Sequence, residues 1–191
     1  MILRSRVAAA ALFVLPLLMA GASFAGTDVS VAPFKSIGLR GGGHVILHHG
    51  ATQHVTLVKG STQFTRFEIV NGNELQIDAC NENCPNHYDL EIDIVSPDIE
   101  GVAIQGGGEI ESRGTFPKQH KIDAAVSGGG SIDIRAMSVD EVAAAVNGGG
   151  DIKTKPAHAL RAAVNGGGAI SYSGNPQVTS AINGGGSVSK E

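Results

Sequence analysis

Tryptophan is missing from the 191 residues, and aromatic residues together make up only 4%. Basic residues are also sparse: 14 Lys and Arg stand against 18 Asp and Glu, giving a net charge of −4 at pH 7, and no basic cluster is interleaved with aromatics. A nucleic-acid surface needs cations for the phosphates and rings for the bases, so nucleic acid is excluded as a partner. Cysteine occurs twice, and neither copy follows the apolar run at the N-terminus, which excludes a lipoprotein. That run, Val7 to Ala20, is shorter than the roughly 20 residues a membrane-spanning helix requires. The glycine triplets lack the Gly-Lys-Ser/Thr ending of a phosphate loop, and no nucleophile elbow or zinc-protease helix is present. Calcium-binding β-rolls need an Asp beside each glycine turn, and here it appears once, as Asp151. These absences predict a protein without catalytic residues, cofactor or metal centre.

The first 25 residues combine Arg4 and Arg6, the apolar run and a small-residue ending in which Ser23 and Ala25 suit a signal peptidase. This is the pattern of a secretory signal peptide. It predicts an exported chain whose mature part, residues 26–191, forms a single domain with no membrane span after cleavage.

Glycine is abundant and positional. Of 27 glycines, eighteen stand in six triplets that begin at positions 41, 106, 128, 148, 166 and 184. The later spacings are 22, 20, 18 and 18 residues, and the first, 65, fits about three periods. Two positions after the triplets stand Val45, Ile110, Ile132, Ile152, Ile170 and Val188; two before stand Leu39, Ile104, Val126, Val146, Val164 and Ile182. Apolar, mostly β-branched residues at period two on both sides indicate strands, and a period near 20 indicates stacked units that bury their apolar faces against neighbours. The fold expected is all-β: a parallel β-helix, a solenoid of 18–22-residue coils with Gly-Gly-Gly corners. Corners stacked about 4.8 Å apart leave little room for side chains and favour positive φ. Gly149 and Gly167 are therefore expected to resist replacement by Val. Asn147, Asn165 and Asn183, which precede the last three triplets, form either an amide ladder or simple turn residues.

With "FKSIGLRGGGHVILHHG", "VNGNELQI", "DLEIDIVSPDIEGVAIQGGGEI" and the later Ser/Asn-Gly-Gly-Gly-x-Ile repeats, the chain resembles the head GIN domain family of auto-transporter adhesins from about Val31 to Ser189. The resemblance implies an exported, right-handed β-helix of a bacterial periplasm or cell surface, with no established catalytic residues. No ligand carries over to particular positions.

Residues 50–97 depart from the strict repeat. "HVTLV", "FTRFEIV", "ELQID" and "YDLEIDIV" are strand-like, with a turn at Asn71 to Asn73, and are expected to continue the stack through irregular corners. Cys80 and Cys84 fit a disulfide in an oxidising compartment; the alternative is a metal site that adds His87. His44 and His48 are expected to point outward on one strand with Ile46 between them, solvated or holding a metal.

Aligned on the triplets, Glu109, Ser131 and Asp151 form one outward column, Glu111, Asp133 and Lys153 a second, and Arg113, Arg135 and Lys155 a third. Glu109, Glu111, Arg113, Asp133, Arg135 and Asp151 are the candidate ligand-binding residues, for a glycan or a cell-envelope partner. The simpler reading is a solvated face of charge pairs worth roughly 0.2–1 kcal/mol each. Two alternatives remain: a polysaccharide lyase or hydrolase working through Glu109, Glu111, Asp133 and Arg135, and a structural envelope protein. On the other sheet, Ala103, Ala125, Ala145, Ala163 and Ala181 form an outward strip. With an uncapped final repeat, that strip makes a homo-oligomer a further expectation.

Overall fold

The computed structural model describes residues 26–81 and 83–191; the expected signal peptide lies outside the described residues. No helix occurs among them, and the expectation of an all-β chain holds. Seventeen strands run in chain order: β1 Thr27–Asp28, β2 Ser36–Gly41, β3 His44–His49, β4 His54–Lys59, β5 Arg66–Val70, β6 Glu74–Asp78, β7 Glu91–Ser96, β8 Gly101–Gly106 and β9 Glu109–Arg113. They continue as β10 Gln119–Gly128, β11 Ser131–Asp133, β12 Val139–Gly148, β13 Asp151–Thr154, β14 Pro156–Gly166, β15 Ala169–Tyr172, β16 Gln177–Asn183 and β17 Ser187–Lys190.

Two mixed sheets result. The first has the order β1-β4-β7-β3-β9-β11-β13-β15-β17 and the second β16-β14-β12-β10-β8-β2-β6-β5. From β8 onward, successive strands alternate between the sheets; β8 and β9 pair in parallel with β2 and β3, and from β10 each strand pairs in parallel with the one two before it in sequence. Val126, for example, lies between Ile104 and Val146, and Ile132 between Ile110 and Ile152. The residues two before and two after each triplet thus become continuous apolar columns. Leu39, Ile104, Val126, Val146 and Val164 from one sheet and Val45, Ile110, Ile132, Ile152 and Ile170 from the other belong to a single buried cluster. A fully buried side chain of this size contributes about 1.5–3 kcal/mol relative to exposure, so these columns outweigh any surface pairing. At the outermost strand of the second sheet the column is uncovered: Val178 and Ile182 on β16 are 38% and 47% exposed.

The 65-residue spacing has a different meaning from the three intervening periods expected of it. Gly41 lies in register with Gly106, and His44 with Glu109, so the first triplet stacks directly on the second. The segment between them forms the far end of both sheets. There β4 joins β7 antiparallel and β5 joins β6 antiparallel. The expected turn at Asn71 connects β5 to β6, with φ of 53° at Asn71 and 81° at Gly72. The chain reverses here because Asn71 and Gly72, the central residues of the turn that the Asn73 amide closes by donating to Val70 O, accept positive φ. Cys80 and Cys84 are joined by a disulfide in the loop that follows, which leaves no thiolate for a metal site with His87.

Within a triplet the three glycines carry different burdens. Gly166 has φ of 118°, and a Cβ there would lie 2.5 Å from the carbonyl oxygen of Gly148. At Gly168 a Cβ would meet Val146 Cγ1 at 2.6 Å. Gly167, between them, has open space around it, as does Gly149 in the preceding triplet. The expectation that Gly149 and Gly167 resist replacement by Val is therefore corrected: the middle residue projects away from the stack, and its neighbours face the backbone beneath. Replacing Gly166 by Val is expected to cost about 3 kcal/mol or more, from the φ requirement and the overlap together. Gly167→Val should cost under about 1 kcal/mol, the ordinary range for a surface change. Urea denaturation of the two variants checks this, and equal losses would refute the assignment.

Candidate functional site

The outer face of the first sheet is built by register alone. Alternation turns Ile110, Ile132 and Ile152 inward, so the residues between them face out. Glu109, Ser131 and Asp151 stand in one row and Glu111, Asp133 and Lys153 in the next, as the triplet alignment predicts. Rows continue through β3 and β7, where sequence spacing hid them: Glu91 and His44 extend the first row, Asp93 and Ile46 the second. The resulting surface carries Glu91, Asp93, Glu109, Glu111, Asp133 and Asp151 on neighbouring strands.

Cations are interleaved with this acidic set. Lys59 pairs with Glu91, and Arg113 with Glu111. The Lys59 hydrogen bond holds the Glu91 carboxyl below its ordinary value, against a smaller opposing effect of burial, and the same bond raises Lys59. Arg135 does not extend the Arg113 row in strand register, because β11 ends at Asp133. It turns back instead, with Nε donating to Asp133 Oδ1 at 3.0 Å and Nη2 to Oδ2 at 2.6 Å, while Nη1 donates to Glu191 Oε2 at 3.0 Å. Burial raises the Asp133 carboxyl, but the hydrogen bonds and charge of Arg135 more than reverse that and leave it below the ordinary carboxylate value. Arg135 is correspondingly raised, chiefly by its hydrogen bond to Asp133.

Beside this fork lies a shallow groove of about 430 Å³, lined among others by Glu111, Asp133, Arg135, Lys155, Ser173 and Glu191. Of the six sequence candidates, Glu111, Asp133 and Arg135 reach this groove. Glu109 and Asp151 lie in the adjoining row, and Arg113 is tied to Glu111. Glu191 was not anticipated, because nothing in the repeat alignment points from the last residue to Arg135. The histidine pair also differs from expectation. His44 Nε2 faces Glu111 Oε1 at 3.0 Å and His48 Nε2 lies 3.9 Å from Asp93 Oδ1, so each has its own carboxylate. Ile46, expected to point outward between them, is only 4% exposed.

The outer face of the second sheet carries an apolar strip between charged residues such as Asp123 and Arg161. Ala103, Ala125, Ala145, Ala163 and Ala181 are in register and border a groove of about 580 Å³, as the strip in the sequence implies.

Residues 33–122 and 118–176 match the family described as "Putative auto-transporter adhesin, head GIN domain". No curated protein matches the sequence. Among solved structures, a "putative adhesin" from Bacteroides fragilis is similar with a TM-score of 0.54 and 16% identity, covering 90% of this chain and 98% of the other. A "putative adhesin" from Parabacteroides distasonis is 16% identical with a TM-score of 0.41, covering 87% of this chain and 96% of the other. The B. fragilis likeness concerns the fold alone.

The depressed Asp133 carboxyl contributes stability above the ordinary carboxylate range and loses it as pH falls through its lowered value. Because Asp133 and Arg135 are 27% and 41% exposed, solvent screening keeps the contribution at about 1 kcal/mol or less. Asp133→Asn is expected to lower stability by that amount at pH 7. The gap between wild type and variant should begin to narrow below about pH 4, where the carboxylate of the unfolded chain takes up its proton, and close further as pH falls through the lowered value in the fold. Denaturation curves at pH 7 and pH 3 test it, and an unchanged gap at pH 3 would assign the effect to something other than charge.

Proposed function

The chain belongs to the head GIN domain family of auto-transporter adhesins, and on that premise we propose that it is an exported, non-enzymatic surface-binding protein acting in the bacterial periplasm or at the cell surface. The proposed form is one right-handed parallel β-helix spanning residues 26–191 after removal of a signal peptide. Strands that alternate between two sheets while pairing in parallel support that form, and parallel crossovers are right-handed in about 98% of cases.

The observation that carries the binding role is the registered polar face of the first sheet. Charged side chains of both signs occupy fixed rows on a rigid scaffold, next to an open groove lined by Arg135, Lys155, Ser173 and carboxylates. Such a surface offers hydrogen-bond donors and acceptors at strand spacing without a deep apolar pocket, and this suits an extended polar chain such as a glycan. Glu109, Glu111, Arg113, Asp133, Arg135 and Asp151 are the proposed contact residues. The Arg135 guanidinium is already satisfied by two carboxylates, so its part is to fix Asp133 and Glu191 rather than to supply a free cation.

A glycan array paired with a turnover assay on acidic polysaccharides tests this reading. Binding without product release is expected, and it should weaken at least tenfold in Asp133→Ala with Arg135→Ala. Turnover of any polysaccharide would replace the binding role with the enzymatic one. Binding unaffected by the double variant would move the site off this face.

A further inference from the structure

One imidazole nitrogen and two carboxylate oxygens, from His44, Glu109 and Glu111, lie within 4.8 Å of one another, and we propose that these three residues form a binding site for a divalent cation of the zinc type. Their placement follows from the fold. His44 and Glu109 are directly paired across the parallel strands β3 and β9, and Glu111 is two residues further along the same face. Three donors thus converge from two hydrogen-bonded strands without help from a loop.

The spacing fits a small cation. Ligand bonds of about 2.0–2.1 Å in a tetrahedral site put donor atoms about 3.3 Å apart. His44 Nε2 and Glu111 Oε1 already stand at 3.0 Å. The remaining separation, up to 4.8 Å, is within what rotation of the Glu109 side chain closes.

A second observation points to a ligand. His44 Nε2 and Glu111 Oε1 are shut off from solvent and face each other at 3.0 Å, with the Arg113 guanidinium as the other contact of Glu111 Oε1. A carboxylate oxygen and an unprotonated ring nitrogen both present lone pairs, so two such atoms held this close and away from water call for a proton or a metal cation between them. Beside them, Ile46 is in register with Glu111 and almost fully buried, so the donors have an apolar neighbour and charge interactions there are screened less than in water.

The surrounding charges set the affinity. Glu91 is paired across from His44 on the opposite side and held by Lys59, and Asp93 lies opposite Ile46 with His48 nearby. Arg113 contacts Glu111 and competes with a cation for it. One imidazole and two carboxylates favour zinc over magnesium or calcium, which take all-oxygen sets, and leave a fourth position for water.

The proposal does not rest on glycan binding, and its test contains no saccharide. Zn²⁺ titrated calorimetrically into the chelator-treated chain at pH 7 is expected to show one saturable site and to raise the thermal midpoint. His44→Gln and Glu109→Gln should each weaken binding at least tenfold, with circular dichroism confirming that they fold. Arg113→Ala should strengthen binding severalfold, a gain that misfolding cannot produce. His158→Gln, which removes a histidine paired with Asp140 elsewhere on the surface, should change nothing. Absence of a saturable site, or equal affinity in His44→Gln, would overturn the assignment and mark any zinc uptake as adventitious.

Discussion

At each glycine corner from the second triplet onward, an amide of one repeat donates to a carbonyl of the triplet stacked beneath it. Gly149 reaches Gly128 O at 2.9 Å, Gly167 reaches Gly148 O at 2.9 Å and Gly186 reaches Gly166 O at 2.9 Å. Backbones this close exclude a Cβ on the flanking glycines of the triplet, and the same closeness continues the strand ladder through the bend. The constraint explains why glycine, a poor strand former, is concentrated where strands meet. It also fixes the register of everything that follows, because a slip of one residue would set a side chain against the corner beneath it and turn the isoleucine column outward.

Once register is fixed, the outer surface is no longer free to average itself. Charged groups recur at the same height on adjacent strands, so each carboxylate meets either another carboxylate, as with Glu111 and Asp133, or a cation supplied from a neighbouring position, as with Arg135. The individual pairs are weak. Their importance lies in position, since a rigid ladder holds them where a mobile loop would let them scatter.

Legibility in the sequence tracked local repetition. The columns through Ile110, Ile132 and Ile152, the outward alanines and the acidic rows were readable because each follows from a triplet and from period-two alternation. The role of residues 50–97 was not, since nothing in "HVTLV" or "ELQID" says that the intervening strands cross to the far end and leave Gly41 against Gly106. That topology decides where His44 lies. Even so, the alignment held a clue: His44 and Glu109 both stand directly after a triplet, and triplets stack. The division of labour among the three glycines was hidden for another reason. Identical residues carry no mark of which one faces the neighbouring backbone. The link from Arg135 to Glu191 joins a bend to the last residue and has no periodic signal at all.

The two edges of the stack are unequal. On one, the turn from the second sheet to the first is the same glycine bend at β2–β3 and in every repeat from β8 to the triplet at Gly184 before Ser187, and residues 79–90 between β6 and β7 depart from it. On the other, the return path varies: residues 114–118 and 134–138 form the longer links, Lys155 alone joins β13 to β14, and residues 173–176 lie between β15 and β16. From β8 onward, variation in repeat length is thus confined to one side. A lineage carrying this architecture can elaborate that rim freely, lengthening a link or changing its chemistry one repeat at a time, while the glycine rim admits almost no novelty. Diversity and invariance are assigned to opposite borders of the same molecule.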